Sequence, residues 1–260
     1  MQSLGILGVG ELTEKVVRGL RRSGFEGVIF LSPRNHERSA RLAAECHCQI
    51  SDSNQAVVDS ADLLLLGVRP QDVDALAREV TVPPGKLVMS LIAGVGLSLL
   101  TELFPGTRSI RVMLSYAAQI NQSMVVVCPP DAASEKILGS LGTLVVLDDE
   151  EAFELATVAA CMNGWFYFLL HDLQQWLTDR GLPFDKARDL ILGNVQDCVA
   201  SAQSQPSVSL MALGQAIATP GTFTAFGLDI LNHQPAGASW GAACELVLDA
   251  LQAQSTRQRH

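Results

Sequence analysis

Short β-rich runs separated by helix-length stretches fill the first 150 residues and then stop. No other feature constrains the fold as strongly. Leu4-Gly5-Ile6-Leu7-Gly8-Val9 is an aliphatic run that ends in a glycine-rich turn, and residues 27–31, 63–68 and 87–92 are further such runs. Residues 110–113, 124–127 and 144–147 follow. Between the first two runs, Val16, Val17 and Leu20 recur at helical spacing within residues 14–23, and residues 37–46 read as a second helix. Strands alternating with helices imply an α/β fold with a mainly parallel sheet covered on both faces.

After Asp148-Asp149-Glu150-Glu151, which reads as charge at a helix N-terminus, everything is helical. The breaks fall at Gly181-Leu182-Pro183, Gln205-Pro206-Ser207, Thr219-Pro220-Gly221 and Gln234-Pro235-Ala236-Gly237. At the third, Thr219 is the expected cap, with Pro220 in the first turn. The expected division is residues 1–150 as an α/β domain and 151–260 as an all-α domain. Residues 255–260 are expected to fray. Residues 155–170 are the most apolar stretch. They are interrupted by Asn163-Gly164 and shorter than the ~20 residues of a membrane span, so they read as a buried helix.

Composition narrows the partners. Lysine plus arginine is 18 against 27 aspartate plus glutamate, a net charge of −9 with pI near 5.0, which argues against nucleic acid. Charged residues are 17%, too few for a disordered chain. The start of the chain lacks a basic region and reads as a strand rather than a signal peptide. The six cysteines show no paired framework, so reduced thiols and a cytoplasmic location are expected.

The turn after the first run is the first chemical signal. Gly8 permits a tight turn, Gly10 lets a backbone approach a pyrophosphate, and the helix beginning near Glu11 and Leu12 offers free N–H groups and a positive dipole end. This is a Rossmann-type dinucleotide fingerprint with Thr13 in place of its third glycine. A carboxylate at Glu11 would face phosphates unless turned away. At the tip of the second run, Ser32-Pro33-Arg34-Asn35 carries no carboxylate for a ribose 2′-hydroxyl. Ser32, Arg34 and Asn35 offer donors instead, and Arg34 can grip a 2′-phosphate with two prongs, which favours NADPH over NADH.

Several segments in order resemble the pyrroline-5-carboxylate reductase family. Leu66-Gly67-Val68-Arg69-Pro70-Gln71 resembles its L-A-V-K-P-Q, and Ser90-Leu91-Ile92-Ala93-Gly94-Val95 its S-I-A-A-G-V. Arg111-Val112-Met113 resembles the R-x-M before its M-P-N-T-P-A loop, and Thr219-Pro220-Gly221-Thr222-Phe223-Thr224 its S-P-G-G-T-T. The resemblance implies a Rossmann NADP-binding domain followed by a helical domain that interlocks in a homodimer. It implies hydride transfer from NAD(P)H to the C=N carbon of a cyclic imino acid, with pyrroline-5-carboxylate going to L-proline as the default. Val68, Arg69, Pro70, Ala93 and Gly94 would flank the cofactor. The substrate carboxylate would lie at Pro220, Gly221, Thr222 and Phe223, with a hydroxyl of Thr222 or Thr224 near the imine nitrogen. Two segments depart from the family. The M-P-N-T-P-A loop reads Met113-Leu114-Ser115-Tyr116-Ala117-Ala118, which makes Ser115 and Tyr116 candidate substrate contacts. The S-G-S-G-P-A segment reads Ala159-Ala160-Cys161-Met162-Asn163-Gly164.

Other constellations are weaker. Cys46-His47-Cys48 has metal-type residues, but adjacent ligands point apart and no second pair follows, so it reads as a loop at a strand edge and no metal is expected. His171 reads as a solvated or interface histidine before a general acid. Trp165-Phe166-Tyr167-Phe168 reads as core or dimer packing before pocket lining. The one G-x-S-x-G match, Gly237-Ala238-Ser239-Trp240-Gly241, follows no strand, so it is not a nucleophile elbow and hydrolase chemistry has no support. Lys186 lacks the context of a β-hydroxyacid dehydrogenase lysine. Two classes remain: an NADPH-dependent imine reductase, and a non-catalytic or regulatory protein that keeps the fold and still binds NADP.

Overall fold

The structure, a computed structural model, describes residues 2–233 and 236–257 of the chain. It divides into two compact units, Met1–Ala160 with Leu248–His260, and Cys161–Val247.

The first unit carries the strands β1 (Leu4–Leu7), β2 (Ile29–Leu31), β3 (Gln49–Ile50), β4 (Leu63–Leu66), β5 (Leu87–Ser90), β6 (Arg108–Met113), β7 (Ser123–Cys128) and β8 (Gly142–Val146). Between them run α1 (Glu11–Arg22), α2 (His36–Cys46), α3 (Asn54–Ser60), α4 (Val73–Glu79), α5 (Leu97–Leu103) and α6 (Ala132–Leu138). The strands form one sheet in the order β3-β2-β1-β4-β5-β6-β7-β8. All pairings are parallel except β6 with β7, which are joined by a 3-10 turn at Tyr116–Ile120. The order reverses at β1, so the carboxyl ends of β1 and β4 open the crevice where such sheets bind ligands.

Side-chain alternation explains the four consecutive leucines of β4. Leu63 and Leu65 pack in the cluster that holds Val16, Val17 and Leu20 of α1. Leu64 and Leu66 pack on the opposite face, with Val57 and Val58 of α3 and Leu76 of α4. Each such leucine contributes about 1.5–3 kcal/mol by burial. The strand missing from the sequence reading is β3. It is two exposed residues long at the sheet edge, too short and too polar to carry a hydrophobic signal.

From residue 150 onward the described chain is helical: α7 (Glu150–Thr178), α8 (Phe184–Ser204), α9 (Leu210–Ile217), α10 (Phe223–His233) and α11 (Ala236–Arg257). The first three expected breaks fall between these helices. In the fourth, Gln234 and Pro235 lie outside the described residues, as do Gln258, Arg259 and His260 of the tail, while residues 255–257 close α11. Asp149 caps α7, its Oδ1 accepting the Ala152 N–H at 2.8 Å.

The reading of residues 155–170 as a short buried helix is corrected. Asn163 and Gly164 do not interrupt α7, which runs 29 residues; their interior cost of up to about 1 kcal/mol is small beside the length of helix on either side. Among the described residues, α7 is long and apolar enough to cross a membrane, and only 17% of its most apolar window is buried in the single chain. Leu155, Tyr167 and Phe168 are exposed, and so are Val195 of α8, Leu210 of α9 and Phe226 and Ile230 of α10. Packing within the helical unit accounts for part of the aromatic run: Phe166 stacks on Trp240 at 5.5 Å between ring centres, and Trp165 meets Trp240 edge-on at 5.9 Å.

Candidate functional site

The glycine turn leaves β1 at the crevice. Gly8 has φ of +95°, and a Cβ there would sit 2.7 Å from the Val68 main-chain nitrogen, so no other residue fits without a shift. A Cβ on Gly10 would meet only the Gly67 carbonyl, at 3.8 Å, so the surface above Gly10 is open to a ligand. Helix α1 starts at Glu11 with no side-chain cap, so the N–H groups of Glu11 and Leu12 stand at the positive end of its dipole. Thr13 replaces the third glycine, and Gly67 explains how. Thr13 is buried, with Oγ1 3.1 Å from the Gly8 carbonyl and 3.0 Å from that of Gly10. A Cβ on Gly67 would lie 2.2 Å from Thr13 Cγ2. The room usually left by a helical glycine is here left by a glycine on the facing strand end.

At the tip of β2 the three expected donors divide. Ser32 is buried, and its Oγ accepts the Gly8 N–H at 3.1 Å. Asn35 braces the loop rather than reaching out: Nδ2 donates to the Val9 carbonyl at 3.0 Å, and Oδ1 accepts the Arg38 N–H at 3.3 Å as the cap of α2. Arg34 is exposed and makes no hydrogen bond or ion pair among the described residues. Of the three expected donors, Arg34 and the Ser32 hydroxyl hydrogen are thus unengaged among the described residues, while Asn35 has one amide hydrogen committed to Val9. Gly8, Ser32, Arg34 and Val68 line one groove, together with Asn54, Leu76 and Glu79. Arg69 and Pro70 are exposed where the chain turns toward α4; Ala93 is exposed and Gly94 buried beyond the end of β5.

Behind the cradle lies a charge cluster that sequence spacing did not reveal. The Glu14 carboxylate of α1 pairs with Arg18 at 3.0 Å, Arg41 at 2.9 Å and, closer still, Arg38. Burial alone would raise the Glu14 pKa, but bonds from Arg41 and Arg18 and the charges of Arg41 and Arg38 hold it below the ordinary carboxylate value. A second cluster joins β6, α5 and α7. Arg111 is 3% exposed and lies over the Phe153 ring at 4.3 Å. Its Nη1 donates to Glu150 Oε1 at 3.0 Å and to Glu154 Oε1 at 2.6 Å. The same Glu150 oxygen accepts the Leu97 N–H at 2.9 Å and so caps α5, next to the Ala93-Gly94 turn. Glu150 is therefore more than terminal helix charge.

The departing loop is firmly held. The Ser115 N–H donates to Ser123 Oγ at 2.9 Å, and Ser115 Oγ caps the following 3-10 turn through the Ala117 N–H at 3.3 Å. Ser115 is thus a turn-forming residue. Tyr116 is exposed, and its phenol pKa is raised, first by the burial it retains and then by the charge of Glu11 and a hydrogen bond to it. Glu11 thereby has a partner on this loop.

In the helical unit, the turn before α10 revises the expected cap. The Thr222 Oγ1 accepts the Ala225 N–H at 3.2 Å and donates to the Thr219 carbonyl at 2.8 Å, so Thr222 caps α10 rather than Thr219. The Thr222 N–H is also engaged, by the Thr219 carbonyl at 3.1 Å. Of the N–H groups expected at Gly221, Thr222 and Phe223, Thr222 is thus taken. Pro220 and Gly221 are exposed, Phe223 is 92% exposed, and Thr224 is exposed with no side-chain bond among the described residues.

Among the described residues no group of three or more His, Cys, Asp or Glu side chains could hold a metal. Cys46 and Cys48 are buried around a left-handed His47, and burial pushes the Cys48 thiol up to about 11. His171 and Asp172 are exposed on α7.

Residues 3–94 match the family described as NADP oxidoreductase coenzyme F420-dependent, a span that holds the whole glycine cradle and its groove. Over 244 residues the chain is 24% identical to the pyrroline-5-carboxylate reductase of Haemophilus influenzae, covering 89% of each protein. Over most of its length the chain is thus similar to the pyrroline-5-carboxylate reductase family. That family consists of NAD(P)H-dependent oxidoreductases acting on a C=N bond. Its fold is shared in full. A pyrroline-5-carboxylate reductase from Coxiella burnetii aligns with TM-score 0.87 at 18% identity, over 98% of both chains. Pyrroline carboxylate reductase from Plasmodium falciparum, solved with NADP bound, aligns with TM-score 0.85 at 18% identity, again over 98% of both.

Proposed function

We propose that this chain is an NADPH-dependent reductase of a cyclic imino acid, converting pyrroline-5-carboxylate or a close relative to L-proline or the corresponding amine. The reading is carried by the end-to-end likeness to pyrroline-5-carboxylate reductases, joined to a cradle whose groups fit a dinucleotide. When bound, the reduced nicotinamide supplies the hydride. The chain's own residues do the rest. Main-chain N–H groups at Glu11 and Leu12 face the pyrophosphate at the open surface above Gly10. Arg34, unpaired, takes the 2′-phosphate and sets the preference for NADPH, with the Ser32 hydroxyl beside it. Val68, Arg69, Pro70, Ala93 and Gly94 flank the dinucleotide. The turn from Pro220 to Phe223 holds the substrate carboxylate. Thr224 donates a hydrogen bond to the imine nitrogen, because the Thr222 hydroxyl hydrogen is spent on the Thr219 carbonyl. A protonated C=N group accepts hydride at carbon more readily than a neutral one, and the nitrogen keeps the proton in the amine product.

The functional division at about residue 150 and the homodimer belong to the same proposal. Exposed apolar side chains recur on α7, α8, α9 and α10, more than one spanning helix would need and of the kind that partner subunits cover. The thiols of the described residues are unpaired, in keeping with a reducing cytoplasm. The experiment is NADPH oxidation with pyrroline-5-carboxylate beside a panel of cyclic imines. Turnover of one of them supports the reading. Tight NADPH binding with no turnover of any would support the second reading, a non-catalytic protein, which the altered loop at Ser115 and Tyr116 favours.

A further inference from the structure

One wall of the nucleotide groove carries chemistry that a phosphate does not require. Leu76 and Glu79 stand three residues apart on α4 and share a helix face. Asn54 opens α3, and its Nδ2 donates to Glu79 Oε2 at 2.9 Å. One residue on, Gln55 makes two bonds to the main chain of Thr81: Oε1 accepts the Thr81 N–H at 2.7 Å, and Nε2 donates to the Thr81 carbonyl at 3.2 Å. The start of α3 and the end of α4 are thus tied together, and the Glu79 carboxylate is held at the groove instead of sweeping through solvent. Its second oxygen, Oε1, has no hydrogen-bond partner among the described residues.

The groove therefore changes character along its walls. Gly8 and Ser32 are bonded to each other and belong with Arg34, where anionic groups fit. Val68, partly exposed, with the edge of the otherwise buried Leu76, offers apolar surface suited to a flat heterocycle. Glu79 adds an oriented acceptor. A carboxylate repels a phosphate, but it is matched to an amino group. Resting on the nucleotide reading above, we propose that Glu79 is a specificity-determining residue that reads the exocyclic amino group of the adenine base. The base lies against Val68 and Leu76, and Glu79 Oε1 accepts one N–H of that amine. A base with a carbonyl at this position would set its lone pairs against the carboxylate and be rejected.

The test is a binding titration of the full chain, followed by nicotinamide fluorescence, with NADPH and with its hypoxanthine analogue deamino-NADPH. The two differ at one edge of the base, where the amino group becomes a carbonyl and the neighbouring ring nitrogen, N1, gains a hydrogen. The wild-type chain should bind NADPH at least tenfold more tightly, as expected for a hydrogen bond to a charged acceptor. In Glu79→Ala the ratio should fall to near one through weaker NADPH binding, with deamino-NADPH unchanged or improved. In Glu79→Gln the ratio should also fall to near one, because the amide can turn its carbonyl to an amine or its NH2 to a carbonyl. Equal affinity of the wild-type chain for the two nucleotides would overturn the proposal. So would an equal loss of both in Glu79→Ala, which would give Glu79 only a role in holding Asn54. No NADPH binding by the wild-type chain would instead overturn the nucleotide reading itself.

Discussion

Replacing Arg111 by methionine should destabilise the sheet around β6 by about 3–5 kcal/mol, the usual cost of removing one partner from a buried ion pair. The magnitude follows from who is stranded. The Glu154 side chain is 12% exposed and would lose its 2.6 Å bond to Nη1, leaving a carboxylate away from water with no cation. Glu150 is 33% exposed and still accepts the Leu97 N–H, so it contributes less. The stacking on Phe153 adds a smaller loss. Tryptophan fluorescence is the wrong probe, because Trp165, Trp176 and Trp240 all lie in the helical unit. Hydrogen exchange read on peptides from β6 and β7 is the right one. Each ~1.4 kcal/mol is a factor of ten, so exchange there should speed up roughly a hundred- to several-thousand-fold. A second change, Glu154→Leu in the same chain, should recover most of the protection by removing the stranded charge. Acceleration below about tenfold, or no recovery in the double variant, would refute the reasoning that Glu154 depends on Arg111.

Arg34→Ala should weaken NADPH binding roughly ten- to a hundred-fold, the worth of about 1.5–3 kcal/mol for a charge-assisted contact, and leave NADH nearly unchanged; parallel titrations check it, and equal losses would remove Arg34 from the 2′-phosphate. Thr224→Val should lower kcat by about 10²-fold with NADPH affinity intact. Thr222→Val should chiefly cost the ~1 kcal/mol of a helix cap, visible as faster hydrogen exchange in α10, and the reverse pattern would move the proton donor to Thr222. Glu14, whose folded pKa lies below its ordinary value, contributes stability that is present above about pH 4.5 and lost as pH falls through the folded value. Denaturation measured against pH should therefore steepen on the acid side, and Glu14→Gln should flatten that limb.

What the sequence made legible was set by range. The strands of the first unit other than β3 are legible from local runs such as Leu63–Leu66, because a strand buried on both faces must be apolar throughout. The cradle at Gly8 is equally local. The replacement of a glycine by Thr13 reads as an imperfection until Gly67, more than fifty residues away, is seen to make the room. Asn35 is legible as a polar residue just past the tip of β2, but whether its amide reaches outward or braces Val9 is a tertiary matter. Arg111 lies about forty residues from Glu150 and Glu154 and meets them only because β6 ends beside the start of α7. The continuity of α7 was missed for the opposite reason: local punctuation at Asn163-Gly164 was weighed without the long helical context that overrides it.

The central claim is that this chain moves a hydride onto the carbon of a cyclic C=N bond. Incubation of the chain with pyrroline-5-carboxylate and NADPH deuterated at the transferring position of the nicotinamide tests it directly. The account predicts L-proline one mass unit heavier than normal, with the deuterium on the ring carbon next to nitrogen that was double-bonded in the substrate. Proline without deuterium, or deuterium at any other carbon, would contradict it.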